Sequence, residues 1–271
     1  MNMQIVELHF STEPKCDYST IKSRAEEILG EPLDSPDLNS TKDTLLLFHA
    51  SHLVQLKDAV IAPQTALLRV DKSIQMEEYS DVIQQSWGFK DCSSVLSQSK
   101  HTMLVIEMMA LSLSPVDRIH LFHGVLQAVI ELLSPIALVF KHSQQAVHPQ
   151  AYLANVALPP ILRPGSLNVR FFNISNSDGD MLMDTRGLSD LGLHDLQCHF
   201  RELDPNEVGK LLFNTGVYIF ENGPVVESGN TVAGIEEGQR WKCQFENSLA
   251  SPDREVLDLD PGPPYAAGGR T

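Results

Sequence analysis

The chain has 271 residues, 42% of them hydrophobic, with 20 Lys and Arg against 35 Asp and Glu and a net charge of −15. That length and composition suffice for a substantial core in one large or two modest domains, and we expect two. The acidic excess runs through both halves with no basic face, which argues against nucleic acid and against an anionic membrane surface, since each needs clustered cations.

A basic protein partner fits the charge, although solubility alone also accounts for it. The opening MNMQIVELHF lacks the cationic and long apolar segments of a signal peptide. The longest apolar-rich stretch, Ile119 to Leu133, is interrupted by His120, His123, Gln127 and Glu131 and is too short to span a bilayer. Cys16, Cys92, Cys198 and Cys243 show no CxxC spacing, which points away from a zinc ribbon or disulfide scaffold and toward reduced thiols in a cytoplasm.

In chain order, residues 3–10 alternate as an internal strand, with Ile5, Glu7 and His9 on one face and Val6, Leu8 and Phe10 on the other. Asp17 or Ser19 caps a helix that ends at Gly30. TLLLFHA (44–50), HLVQLKDAVI and TALLRV extend a sheet, and residues 75–98 read as helical with a break near Gly88. A strand at 102–111, a helix started by Ser114, Pro115 and Asp117, and a strand at 135–140 form a compact strand-helix-strand unit. The helix is apolar nearly all round, leaving one polar stripe of His120, His123, Gln127 and Glu131.

Three prolines and a glycine in NVALPPILRPGS (155–166) mark a boundary. Beyond it, LNVRFFNIS and MLMDT flank Asp178 and Gly179, a hairpin turn signal, and LHDLQCHF (193–200) is a further strand. Asp204, Pro205 and Glu207 supply an N-cap, a first-turn proline and the acid of a capping box. Gly209 and Gly216, seven apart, allow that helix to approach a sheet closely, and Gly223 with Pro224 stops it. PVVESGNTVAGI and QRWKCQFENS form a closing strand pair, and the Pro- and Gly-rich end has too little to bury. The expected fold is α+β, with mixed or antiparallel sheets, helices packed on one face and two subdomains. We expect an N-terminal domain at 1–158, a C-terminal domain at 159–250 and a mobile tail at 251–271.

Chemistry could sit in three places. Asn176, Asp178 and Asp180 have the alternate spacing of a calcium loop, with Asp184, Asp190 and Asp195 following, but no register supplies the terminal bidentate acid. Asp178, Asp180 and Asp184 are therefore metal candidates set against the plain reading of solvated turns. His120 and His123 face the same way on their helix, yet Glu131 lies roughly 16 Å along the axis and no third ligand is visible. Glu107, with three apolar neighbours on each side, is a candidate general acid or base, or is matched by a cross-strand Arg or Lys, or is exposed. There is no GxSxG, GxGxxG, phosphate-loop or HExxH motif, and nothing implies a cofactor.

The run GDMLMDTRGLSDLGLHDLQCHFRELDPNEV (179–208), continued by YIFENG and VVESGNTVAG, resembles a bacterial domain family of unknown function. In that family a segment ending in glycine leads through a strand into a long helix and a GxT hairpin. Gly187, the strand around His194 to Phe200, the helix from Pro205 and the run Ser228 to Thr231 take those places, and Trp87 followed by DCSSVLSQSKHTMLVIEM is similar to the entry before its central helix. The resemblance spans roughly residues 1–250 and brings no catalytic residues with it. It implies little about function, although some proteins of this kind are suspected of neutralising toxins as immunity proteins; the missing catalytic constellation and the charge of −15 make a non-enzymatic protein-binding module the first expectation. The alternative is a hydrolase or metal-dependent enzyme using Glu107 or the Asp178 to Asp195 segment.

Overall fold

A computed structural model describes residues 3–15, 17–35, 44–70, 74–177 and 179–268. They fall into two units, residues 1–166 and 167–271, each an α+β assembly around its own six-stranded sheet. Cys16 and Asp178 lie outside the described residues.

In the first unit, strand β1 (Ile5–Phe10) leads into helix α1 (Tyr18–Leu29), strands β2 (Thr44–Phe48), β3 (Val54–Gln55), β4 (Val60–Ile61) and β5 (Gln64–Val70), and short helices α2 (Ser80–Gln84) and α3 (Cys92–Leu96). Strand β6 (His101–Met108), helix α4 (Pro115–Leu133), strands β7 (Ala137–Phe140) and β8 (Gln145–Val147) and helix α5 (Pro149–Leu153) complete it. The sheet order is β2-β5-β6-β1-β7-β8, antiparallel throughout. Strand β6 therefore separates β1 from β5, and β1 separates β6 from β7. These two interleaved split β-α-β units are the ferredoxin-like arrangement, with β2 and β8 added at the edges.

Local chemistry explains the elements. Asp17 accepts from the amides of Ser19 and Thr20 to start α1, and Gly30, at φ 73°, ends it. Ser114 accepts from the Asp117 amide, with Pro115 in the first turn of α4. The two long helices pack on one sheet face over Val6, Leu8, Phe10, Leu67, Met103, Leu138 and Phe140. The other face is covered by the segment expected to be one interrupted helix. It is a 3-10 turn (Met76–Tyr79) with α2 and α3, and it buries Tyr79, Val82, Phe89, Cys92 and Leu96 against Ala137, Val139 and Ala146. Ser86 fastens that layer by accepting from the Ala146 amide at 2.7 Å. Strands β3 and β4 do not extend the main sheet; they pair with each other in a separate hairpin.

In the second unit, strands β9 (Asn168–Asn173), β10 (Met181–Arg186) and β11 (Asp195–Phe200) precede helix α6 (Pro205–Asn222), followed by β12 (Thr231–Ala233), β13 (Arg240–Asn247) and β14 (Glu255–Asp260). The order β12-β13-β14-β11-β10-β9 contains one parallel pair, β11 with β14. Residues 255–260 are thus a central strand rather than part of a mobile tail. EVLDLD alternates as a strand should, and the Pro-Gly run after it merely ends the strand. Residues beyond β14 also fold back, where Ala266 bridges Phe200.

Helix α6 starts as its sequence dictates, with Asp204 accepting from the Asn206 amide at 2.9 Å. Glu207 does not close a capping box but turns to Lys210 at 2.6 Å. A Cβ on Gly209 would lie 3.1 Å from Met183, and one on Gly216 would lie 3.1 Å from Leu167 and 3.4 Å from Leu188. The two glycines therefore set how near the helix sits to its sheet.

Gly165, at φ 97°, has the Phe140 ring where a side chain would be, at 2.3 Å. Left-handed strain and overpacking act together there. Gly165→Ala is expected to cost about 3 kcal/mol in urea denaturation, with an unchanged circular dichroism spectrum.

Candidate functional site

Glu107 is buried and held at both oxygens. Arg118 donates from Nε to Oε1 at 2.9 Å and from Nη2 to Oε2 at 2.6 Å, and the Gln4 amide reaches Oε2 at 3.1 Å. Its partner is not a cross-strand cation but the first turn of α4, eleven residues on. A cavity of about 10 Å³ lies beside it, lined by His49, Thr65 and Arg118 among others, with room for no more than about one water. Glu107 itself is 4% exposed.

His49 donates to or accepts from Thr65 Oγ1 through Nε2 at 2.9 Å. Burial pushes its imidazole down to about 4, with smaller contributions from His52 and His120. The expected polar stripe on α4 does not exist as one surface. His120 is exposed, while His123 is fully buried, its Nδ1 2.8 Å from the Tyr152 hydroxyl and its Nε2 3.3 Å from Ser166 Oγ. Burial holds His123 well below the ordinary imidazole range. Gln127 donates to Glu131, which Arg24 binds at 2.7 Å. The helical spacing that puts His120 and His123 on nearby faces also sends one of them into the core, so the pair cannot share an ion.

The Asp-rich segment departs furthest from expectation. Asp184 and Asp195 are at most 1% exposed, and Asp190 is buried too. Arg170 binds Asp184 at both oxygens, 2.8 and 2.5 Å, and Arg254 adds a third contact at 2.8 Å. Arg254 Nε also reaches Asp195 at 3.1 Å, and Arg186 bridges Asp195 at 3.2 Å and Asp190 at 3.7 Å. Asp195 accepts the Leu188 amide at 3.1 Å. Carboxylates taken up in this way by guanidinium groups are not free to ligate a cation, and among the described residues no group of three His, Cys, Asp or Glu could hold one. Asp180 pairs instead with Arg201 at 3.0 Å.

Strand register explains the network. Asp184 stands opposite Arg170 on β9 and Gln197 on β11, Gln197 opposite Asp258 on β14, and Asp258 opposite Gln244 on β13. One polar row thus crosses five strands on the face away from α6. The arginines and Asp258 escaped the sequence reading, yet the signal was present: Arg170, Asp184, Arg186, Asp195 and Gln197 all fall on matching alternate positions of their strands.

A third feature lies between α6 and edge strand β12. An open groove of about 340 Å³ is lined by Glu207, Lys210, Leu211, Asn214 and Thr215 on the helix and by residues 232–235. The three described cysteines, Cys92, Cys198 and Cys243, are buried and unbridged, and burial raises the thiols of Cys92 and Cys243 to about 11, too high for nucleophiles at neutral pH.

A domain of unknown function, DUF4261, matches residues 184–260, which runs from the middle of β10 to the end of β14 and takes in most of the Arg-Asp network and the groove. The match is to a family of unknown function, as the sequence resemblance implied, but it is shorter than the stretch over which that resemblance runs. No curated protein and no solved structure matches the chain. No helix among the described residues is long and apolar enough to cross a membrane.

Two tests follow. Arg254→Met leaves two buried carboxylates short of a cation and should cost about 3 kcal/mol in urea denaturation, while Arg201→Met, at a half-exposed arginine, should change stability by less than about 0.5 kcal/mol. His49 is neutral in the fold down to about pH 4, whereas the unfolded chain takes up its proton near pH 6.5. Stability present above pH 6.5 is therefore lost as pH falls toward 4. His49→Gln should remove up to about 3 kcal/mol of that loss when stability is compared at the two pH values.

Proposed function

We propose that the protein is a non-enzymatic binding module that recognises a basic protein, acting in a bacterial cytoplasm. The observation that carries this reading is an exposed apolar end of the first unit. Leu53, Leu56 and Val60 on the β3-β4 hairpin are 61, 42 and 56% exposed, and Met109 and Leu111 on the β6-α4 connection and Val116 in the first turn of α4 are 54, 66 and 51% exposed. The two segments emerge together, since Gln64 pairs with Met108 and the His49 amide donates to Pro63. Apolar side chains grouped on a surface are the usual mark of a contact site. Met109 also takes a left-handed backbone, φ 55°, a cost that an unused loop has no reason to retain.

What favours binding over hydrolysis or metal chemistry is the use already made of the acidic candidates. Glu107 is closed in by Arg118, and the aspartates of the second unit by Arg170, Arg186 and Arg254. The acidic charge supports a basic partner. Neutralisation of a toxin, as an immunity protein, is a narrower form of the proposal and rests on the family resemblance.

Cross-linking in lysate of the native organism, read by mass spectrometry, tests it. The wild type should recover a basic protein at moderate salt, and Leu53→Asp with Leu111→Asp should cut recovery at least tenfold while leaving the melting temperature within about 2 °C. Equal recovery by both, or no recovery by either, would overturn the reading.

A further inference from the structure

We propose that the groove between α6 and β12 binds an extended segment of a partner protein, one that alternates cationic and apolar residues and adds as a strand to the sheet edge. This site does not depend on the apolar end of the first unit.

Strand β12 is the outermost of its sheet, with no neighbour on its far side among the described residues. Its three residues offer roughly 10 Å of unpaired backbone. An unpaired edge beside a helix is the geometry on which an extended peptide gains main-chain hydrogen bonds, while flanking pockets select alternate side chains. The groove supplies such a flank. Leu211, Val232 and Ile235 are half-buried apolar residues lining it, and its 340 Å³ lies at the small end of ligand sites, which suits a few side chains rather than a folded domain.

Charge determines what accompanies the apolar residues. The lone cation of the lining, Lys210, is neutralised by Glu207 at 2.6 Å. The turn continuing from Ile235 adds Glu236 and Glu237, both exposed, and Asp204 is exposed one turn before Glu207. A segment carrying Lys or Arg is complementary to this rim, and an acidic one is repelled.

Trp241 lies next to the groove without lining it. Trp241 is fully buried, and its indole Nε1 meets no acceptor among the described residues. An indole N–H in that position is normally paired. A Cβ on Gly234 would lie 2.4 Å from Gln239 Oε1 and 2.6 Å from Trp241 Nε1, so the indole lies directly behind Gly234, a residue of the groove lining.

Trp87 and Trp241 are the two tryptophans of the chain, and Trp87 is exposed. In the full-length Trp87→Phe protein, Trp241 fluorescence reports on the groove alone. Titration with an eight-residue peptide alternating Lys and Val should give a saturable spectral change, and a Glu and Val peptide should bind at least tenfold more weakly. Glu207→Lys, which reverses a groove charge, and Leu211→Asp should each weaken the Lys and Val peptide at least tenfold with circular dichroism unchanged. Leu53→Asp with Leu111→Asp should leave it unaffected, which separates this site from the one proposed above. No saturable change, equal binding of both peptides, or binding indifferent to both groove variants would overturn the proposal.

Discussion

A carboxylate removed from water costs several kcal/mol unless a cation and further donors meet it, and both sheets are arranged around that requirement. In the second unit, Asp184 and Asp195 are met by three arginines drawn from β9, β10 and the loop before β14. Arg254 is the joint. It contacts both aspartates and the Thr185 carbonyl, and its other nitrogen donates to the carbonyls of Ala250 and Pro252. The loop over the polar face is therefore fixed by the same side chain that completes the network.

That pairing also specifies register. A slip of one residue in β10 would turn Asp184 and Arg186 toward the face packed by α6 and bring Met183 and Thr185 to the polar one. Hydrophobic alternation alone distinguishes the two faces, but a charge left without its partner in an apolar layer is penalised far more than a misplaced methyl group. In the first unit Glu107 plays the corresponding part with one arginine, binding the start of α4 to β6 through Arg118. Since α4 packs beside α1 over the same sheet face, this ion pair positions one of the two helices on which the core depends.

What could be read in advance follows from the range of each interaction. Caps, turn residues and the strand-helix-strand unit are local, and Asp17, Ser114, Asp204 and Gly30 do in the structure what their positions dictate. The split order of the first sheet is not local, because nothing in β1 states that β6 and β7 will flank it. Partners of buried charge are remoter still: Asp184 and Arg254 lie 70 residues apart. The aspartates looked like turn residues because Asp and Gly are common in turns, and only matching parity across strands distinguishes a buried row from a solvated loop. Strand β14 was concealed by the prolines and glycines that follow it. His123 departs from expectation because a helix buried nearly all round carries its polar residues inward, where Tyr152 and Ser166 satisfy them.

The bookkeeping of charge bears on function as well. Buried carboxylates and guanidinium groups meet in close pairs, while acids such as Asp204, Glu236 and Glu237 stay exposed, where on the proposed reading a basic partner would meet them. At physiological ionic strength such a field reaches only about 8 Å. It raises the rate of encounter with a basic molecule more than it holds the complex together. The holding energy must come from desolvated apolar area and from backbone pairing, and those are what the exposed hairpin and the β12 edge present. On the reading proposed above, buried acids committed to arginines and apolar loops and a strand edge left at the surface serve recognition of a partner.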